Sequence, residues 1–218
     1  MVAGMNEPDD AAEEILRSVA WTKEPVVGLE FVEVTLTIGM TFGWLAASGV
    51  AIAAEPIPYR LDYELATDSS FVTTRLLLTT RGEGWRRSLD LRRSEEGLWT
   101  AETGDEGYTR LPSPGGDMAL LRKALDCDIQ LSPLTNSMPV LRHDMLAGGS
   151  AHEFLMAWVA LPALSVTPSR QRYVPLGSLP DGGRLIRYES LDSAFVAELT
   201  FDADGLVIDY PKLGRRLG

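Results

Sequence analysis

The sequence predicts a mainly β fold, antiparallel and rolled or closed into a barrel-like sheet, with one or two short helices. Three observations predict it. From Val32 to Trp44, large apolar residues alternate without a fault with small or polar ones. Many short segments of similar pattern follow, separated by turn signals. Few stretches carry helical spacing. A period of two places every large side chain on one face of an extended strand.

The alternating segment also settles what the uncharged stretch VTLTIGMTFGWLAASGVAIAA, residues 34–54, is not. Its length suits a membrane helix. A helix would scatter Val34, Leu36, Ile38, Met40, Phe42 and Trp44 around its circumference, whereas a strand gathers them. The β-branched residues favour the strand as well. Ala46–Gly49 then reads as a turn and Val50–Ala54 as a second strand. No integral membrane segment is expected.

Taken in order, residues 1–8 read as a loose tail. Residues 9–19 read as a short helix with Ile15, Leu16 and Val19 on one side. Alternation returns at Tyr59–Leu65 and Leu89–Leu91, with the β-branched run Phe71–Thr80 between them. Gly82-Glu83-Gly84 and Glu95-Glu96-Gly97 read as hairpin turns. Pro112, Pro114 and two glycines mark a loop, after which Asp117 is placed to cap a short helix carrying Met118, Leu121 and Leu125. Cys127, Ile129 and Leu131 alternate with Asp128 and Gln130. Phe154–Leu161 reads as an apolar strand, and Pro162, Pro168 and Pro175 punctuate the chain after it. Leu185–Ser190, Phe195–Phe201 and Leu206–Tyr210 complete the strands, the last two forming a hairpin across Asp202–Gly205. No linker demands a division, so residues 1–218 are expected to form a single domain.

Composition narrows the function. The 218 residues carry a formal net charge of −11, which disfavours nucleic acid and anionic bilayers as partners. The first fourteen residues hold five acids and no base, the opposite of a secretory signal. Cys127 is the single cysteine, so no intrachain disulfide forms and a cytoplasmic setting is expected.

Most catalytic signatures are missing. His143 and His152 lack the spacing of a helical zinc pair and read as surface or loop residues. No Gly-x-Ser-x-Gly elbow and no phosphate-binding Gly-x-x-x-x-Gly-Lys-Ser/Thr loop occurs. Asp202 and Asp204 suit a turn better than a calcium loop. Cys127 reads as a buried structural thiol. No metal, cofactor or catalytic residue is assigned. What stands out is a set of aromatic and amide side chains beside strands and turns: Trp21, Tyr59, Trp85, Trp99, Asn136, Gln171, Tyr173, Tyr188 and Tyr210. Taken singly, each aromatic reads as core filling. At the mouth of a hollow roll, the same groups suit an amphiphile. Aromatic faces pack on sugars, amides bond hydroxyls, and apolar strand faces hold acyl chains.

An ordered set of short motifs extends this reading. It comprises Asp126-Cys127-Asp128-Ile129, Thr135–Arg142, Trp158–Pro162, Val166-Thr167-Pro168, Gln171-Arg172-Tyr173, Tyr188-Glu189-Ser190, Phe195–Leu199 and Asp204–Pro211. Trp21, Gly28-Leu29-Glu30, the Gly49-Val50 turn, Tyr59-Arg60-Leu61 and Thr73-Thr74-Arg75 precede it. In order and spacing this set resembles the bacterial glycolipid-binding family, a former domain of unknown function, over residues 20–216. Ser70-Phe71 departs from the tryptophan expected of that family near Thr74-Arg75. The resemblance implies a spiral β-roll and a lipid- or glycolipid-like small molecule as partner. The candidate ligand-binding residues are then Trp21, Glu30, Tyr59, Arg75, Trp85, Asn136, Arg142, Gln171, Tyr173, Tyr188 and Tyr210. Two other readings stay open at this point: a small hydrolase-like enzyme in a β-barrel cleft, and a structural or interaction module with a filled core. A deep apolar cavity favours the binder, a carboxylate of perturbed pKa in a cleft favours the enzyme, and a packed interior favours the module.

Overall fold

The computed structural model describes residues 12–24 and 26–218. The proposed tail at residues 1–8 lies outside the described residues, as does the start of the helix expected at 9–19. The chain builds one fourteen-stranded sheet in the order β7-β6-β5-β4-β3-β2-β1-β14-β13-β12-β11-β10-β9-β8. The amino-terminal half holds β1 (Glu13–Lys23), β2 (Gly28–Ile38), β3 (Gly43–Ala53), β4 (Tyr59–Thr67), β5 (Thr73–Gly82), β6 (Trp85–Arg93) and β7 (Trp99–Gly107). The carboxy-terminal half holds β8 (Asp126–Ile129), β9 (His152–Val159), β10 (Val166–Ser178), β11 (Arg184–Ser190), β12 (Val196–Phe201), β13 (Val207–Tyr210) and β14 (Gly214–Leu217). Every named pairing is antiparallel except β8 with β9. One α-helix, α1 (Ser137–Arg142), and two short 3-10 turns complete the described elements. Among the described residues no helix is long and apolar enough to cross a membrane.

Three expectations are corrected. Residues 13–19 are strand, not helix, because β1 pairs with β2 from Glu13↔Ile38 to Lys23↔Gly28. A ladder that long outweighs a weak helical period, and the buried Val19, Trp21 and Lys23 all share odd parity. Ala46–Gly49 is not a turn but the middle of β3. The turn lies at residues 39–42, closed by the Gly39 N–H donating to the Phe42 carbonyl at 2.8 Å. Across it the side chains change face: Val32, Val34 and Leu36 are buried, while Met40 is 80% exposed. The prolines after Pro162 do not break the chain into loops; Pro168 and Pro175 lie within β10. Pro175 sits at a register shift, and Pro168 lies before Gln171, where pairing with β11 begins.

Gly49 shows why β3 is rich in small residues. A Cβ there would stand 2.2 Å from the Tyr63 ring of β4. Tyr63 is held in place by its hydroxyl, which donates to Glu30 Oε1 at 2.7 Å. Gly49→Ala is therefore expected to displace a buried, tethered ring and to destabilise the protein by about 1–3 kcal/mol. The urea unfolding midpoint measures this.

The core fills the roll. One continuous cluster lies on the inner face of the amino-terminal half, with Trp21, Leu36, Leu45, Leu61, Leu76, Leu78, Leu89 and Leu91 all fully buried. Leu121, Cys127, Ile129 and Leu164 from the other half close over it. A second cluster, containing Tyr173, Ile186, Leu199, Phe201 and Val207, surrounds α1 residue Val140. The hollow, oil-lined centre expected of the roll is thus occupied by side chains. The recesses near the candidate residues open to solvent as clefts.

Candidate functional site

The eleven candidates divide by position. Trp21 is fully buried, and its indole Nε1 donates to the Val207 carbonyl at 2.9 Å. Trp85 is buried at the start of β6. Glu30 pairs with Lys23 at 2.7 Å and also accepts from Tyr63 and from Ser132 Oγ, the latter at 2.6 Å. Arg142 grips Asp126 through two bonds of 2.6 and 2.5 Å and lies over the Phe154 ring. Arg75 stands on the outer face of β5, bound to Asp90 beside Arg92. It edges an open groove of about 690 Å³ shared with Leu16, Glu33 and Glu64. Tyr59 lines an apolar recess of about 570 Å³ with Val27, Leu29, Ile52 and Pro58. Its phenol is pushed up to about 12 by burial and by the charge of Glu30.

The other five come together. Asn136, Tyr188 and Tyr210 line a cleft of about 440 Å³, and Gln171 and Tyr173 stand behind it. Tyr173 Oη donates to Asn136 Oδ1 at 2.8 Å, with Gln171 Oε1 at 3.3 Å. Gln171 Nε2 donates to Asp128 Oδ2 at 2.6 Å, and Thr135 Oγ1 donates to Asp128 Oδ1 at 2.9 Å. The residues missed from sequence are Asp128 itself, Trp158, Ser190, Asp192 and Phe195, all of which line the cleft. One signal was available for Asp128. It alternates with the buried Cys127 and Ile129 in a short strand where a solvated charge has no reason to sit.

Local structure explains the placement. β8 alternates, so Cys127 turns toward Thr73 and Met138 of the first core. Asp126 and Asp128 turn the other way. Asp126 meets a guanidinium, whereas Asp128 meets neutral donors. Desolvation is the largest effect at both and raises both; with no guanidinium beside it, Asp128 rises to about 6. The Gln171 and Thr135 bonds oppose the rise and the nearby Asp126 charge adds to it.

A pH dependence follows. The folded-state pKa of Asp128 lies above its ordinary value of 3.8. Between those two values the native state binds the extra proton, so this group's contribution to stability falls as pH rises. It is present below pH 4 and lost through pH 6, by about 2–3 kcal/mol. The difference between wild-type and Asp128→Asn unfolding free energies across pH 4–7 is expected to show that slope.

The aromatic side chains behind the cleft form a chain of contacts. Phe154, Tyr173 and Tyr188 follow at centroid spacings of 5.5 Å, and Tyr188 reaches Tyr210 at 5.8 Å. At its far end the rings of His143 and His152 meet at 4.4 Å, tilted by 34°. Among the described residues no His, Cys, Asp or Glu group is arranged to hold a metal ion.

With the cleft in view, the comparison with known proteins is direct. The profile of the family described as "Putative glycolipid-binding" matches residues 18–216. The chain belongs to this family. The match spans both halves of the sheet and every candidate residue. This glycolipid-binding family member is similar to a DUF1089 family protein from Pseudomonas aeruginosa, known from a crystal structure. The two are 28% identical with a TM-score of 0.62, over 100% of this chain and 98% of the other. A beta-barrel-like protein of the DUF1849 domain from Brucella abortus is 11% identical, with a TM-score of 0.47, over 93% and 94% of the two chains. No curated protein matches the family member.

Proposed function

We propose that this protein binds a lipid- or glycolipid-like amphiphile without transforming it, taking the head group in the Asp128 cleft. The observation that carries this is the lining of the cleft. Trp158 and Phe195 are partly exposed and offer aromatic faces, with the buried Tyr188 and Tyr210 at the cleft wall, beside hydrogen-bonding groups from Asp128, Asn136 and Ser190. The family to which the chain belongs supports the ligand class. The filled core is the outcome that favours an interaction module over a carrier with a lipid inside the roll, so in this reading the alkyl portion lies outside the roll. The apolar recess at Val27, Leu29, Ile52 and Tyr59 is suited to it and opens at the same end of the sheet, where β1, β3, β5, β9, β11 and β13 end.

Octyl glucoside below its micelle concentration tests the proposal. Binding should shift the side-chain amide signals of Asn136 and Gln171 and the indole signal of Trp158 in two-dimensional NMR. Shifts elsewhere, or none, would remove the cleft from the proposal. Trp158→Ala deletes one partly exposed aromatic face and is expected to weaken binding about three- to tenfold. Calorimetric titration reads that change.

A hydrolytic reading has one observation in its favour, a carboxyl group titrating near pH 6 in a cleft. It requires release of free glucose from the same glycoside, and that release must vanish in Asp128→Asn. Unchanged glycoside after prolonged incubation supports the binder.

A further inference from the structure

The lining of the Asp128 cleft is one-sided in charge. Among the described residues it carries two carboxyl groups, Asp128 and Asp192, and no lysine, arginine or histidine. Asp192 lies on the loop between β11 and β12, where its Oδ2 accepts the Arg170 backbone N–H at 2.6 Å. Three of the cleft's aromatic rings form a near-equilateral triangle. Tyr188, Phe195 and Tyr210 stand 6.0, 5.8 and 6.2 Å apart by centroid. A cation resting over a triangle of that size would lie about 5 Å from each ring, inside the ~6 Å reach of a cation–π contact. A hard metal ion would demand several oxygen ligands in place of ring faces. A positively charged nitrogen bearing carbon substituents uses both the rings and the carboxylate.

We propose that the cleft takes an organic ammonium group, the amine of a head group, between the aromatic triangle and the Asp128 carboxylate. The inference rests on reading the cleft as the head-group site, and names that group's charge. The surroundings of Asp128 make the binding dependent on pH. Asp126 projects from the same face of the strand; burial raises its carboxyl as well, against the two bonds from Arg142, so part of the pH response belongs to it. Tyr173, Tyr188 and Tyr210 pack against it with phenols pushed above their ordinary range by burial, so they stay neutral. Cys127 is buried on the opposite face, its thiol also pushed up by burial. Asp192 is the remaining acid of the cleft. Asp128 is the group that gains its charge near pH 6.

Calorimetric titration of the full chain with three eight-carbon probes tests the inference: octyltrimethylammonium, octyl glucoside and octyl sulfate. The ammonium keeps its charge at every pH, so any pH effect belongs to the protein. At pH 8 octyltrimethylammonium should bind at least tenfold tighter than octyl glucoside, and most of that advantage should vanish at pH 5. Phe195→Leu removes one ring at a half-buried position. It should lower ammonium affinity several-fold more than it lowers octyl glucoside affinity. Attraction to the overall charge of −11 would not respond to that substitution. If the glucoside or the sulfate binds as tightly as the ammonium, the ammonium site is overturned and the amphiphile cleft stands. If Phe195→Leu weakens both probes equally, or neither, the aromatic triangle is overturned as its basis. If no probe binds, the ammonium site and the head-group cleft fall together.

Discussion

Glu30→Ala is expected to destabilise the protein by about 3–5 kcal/mol, because it strands a buried ammonium. The side chains of Lys23 and Glu30 are 1% and 0% exposed and meet at 2.7 Å. Lys23 Nζ also donates to the Leu131 carbonyl at 2.6 Å. Glu30 further accepts from Tyr63 and Ser132. Removing the carboxylate leaves Lys23 with one carbonyl and two hydroxyls without their acceptor. Desolvation is the deciding effect: the pair breaks even against water only while both charges are present. The double replacement Lys23→Met with Glu30→Leu should recover much of the loss, since it leaves no buried charge. Urea unfolding of the two single variants and the double variant reads the coupling. A Glu30→Ala loss below about 1 kcal/mol would show that water reaches the pair. Glu30, a ligand candidate by the family resemblance, accepts in the structure from Lys23, Tyr63 and Ser132. Its geometric effect is to tie β1, β2 and β4 of one half to residues 131–132 of the other.

Such cross-half contacts were the part of the fold least visible in sequence. The strands themselves were legible wherever one face is buried and the other wet, as at Tyr59–Leu65, Leu185–Ser190 and Phe195–Phe201. Period alone fixes those elements. It does not place turns, because alternation continues through residues 39–42 while the side chains exchange faces. It is also silent where a strand lies at the edge. β7 reads Trp-Thr-Ala-Glu-Thr-Gly-Asp-Glu-Gly, a charged border strand of the sheet with little to bury. β14 is four residues long, Gly-Arg-Arg-Leu, and joins the halves by backbone pairing that no side-chain pattern announces.

The site was partly legible for a related reason. Asn136, Gln171, Tyr173, Tyr188 and Tyr210 were recognisable as polar or aromatic groups in apolar surroundings, and long-range folding brings them together. Their meeting point depends on β8 lying parallel to β9, which positions Asp128 against the Gln171 amide. The alternation of residues 127–131 marks the strand, but not its parallel pairing with β9. Trp21, Glu30, Trp85 and Arg142 lie away from that meeting point: the Trp21 indole, the Glu30 carboxylate and the two terminal nitrogens of Arg142 bond within the protein, Arg142 Nε is buried without a partner among the described residues, and Trp85 is buried at the start of β6.

Trp21→Ala is the second large effect, expected to cost about 3–5 kcal/mol by opening a cavity where the two halves meet. The β1–β14 ladder holds the pairs Ala20↔Leu217 and Trp21↔Arg216, extended by the Thr22 hydroxyl, which bonds the Arg215 backbone, and by the Glu24 N–H, which donates to the Leu213 carbonyl. The indole spans that thin ladder and reaches past β14 to the Val207 carbonyl in β13. The ion pair Arg17–Asp204 also crosses the junction, but the arginine is about half exposed, and such pairs contribute little. Trp21→Phe separates packing from hydrogen bonding. It keeps most of the buried ring, and the Val207 carbonyl still accepts from Arg216 at 3.0 and 2.7 Å. Its cost should therefore stay near about 1–2 kcal/mol. Hydrogen exchange gives the spatial readout. In Trp21→Ala the amides of β14 should lose protection before those of β3 and β4, because the junction opens while the first core holds. Uniform loss of protection across the sheet would mean that the halves unfold as one unit and that Trp21 is ordinary core. Selective loss would make the β1–β14 junction the weak line along which this sheet comes apart.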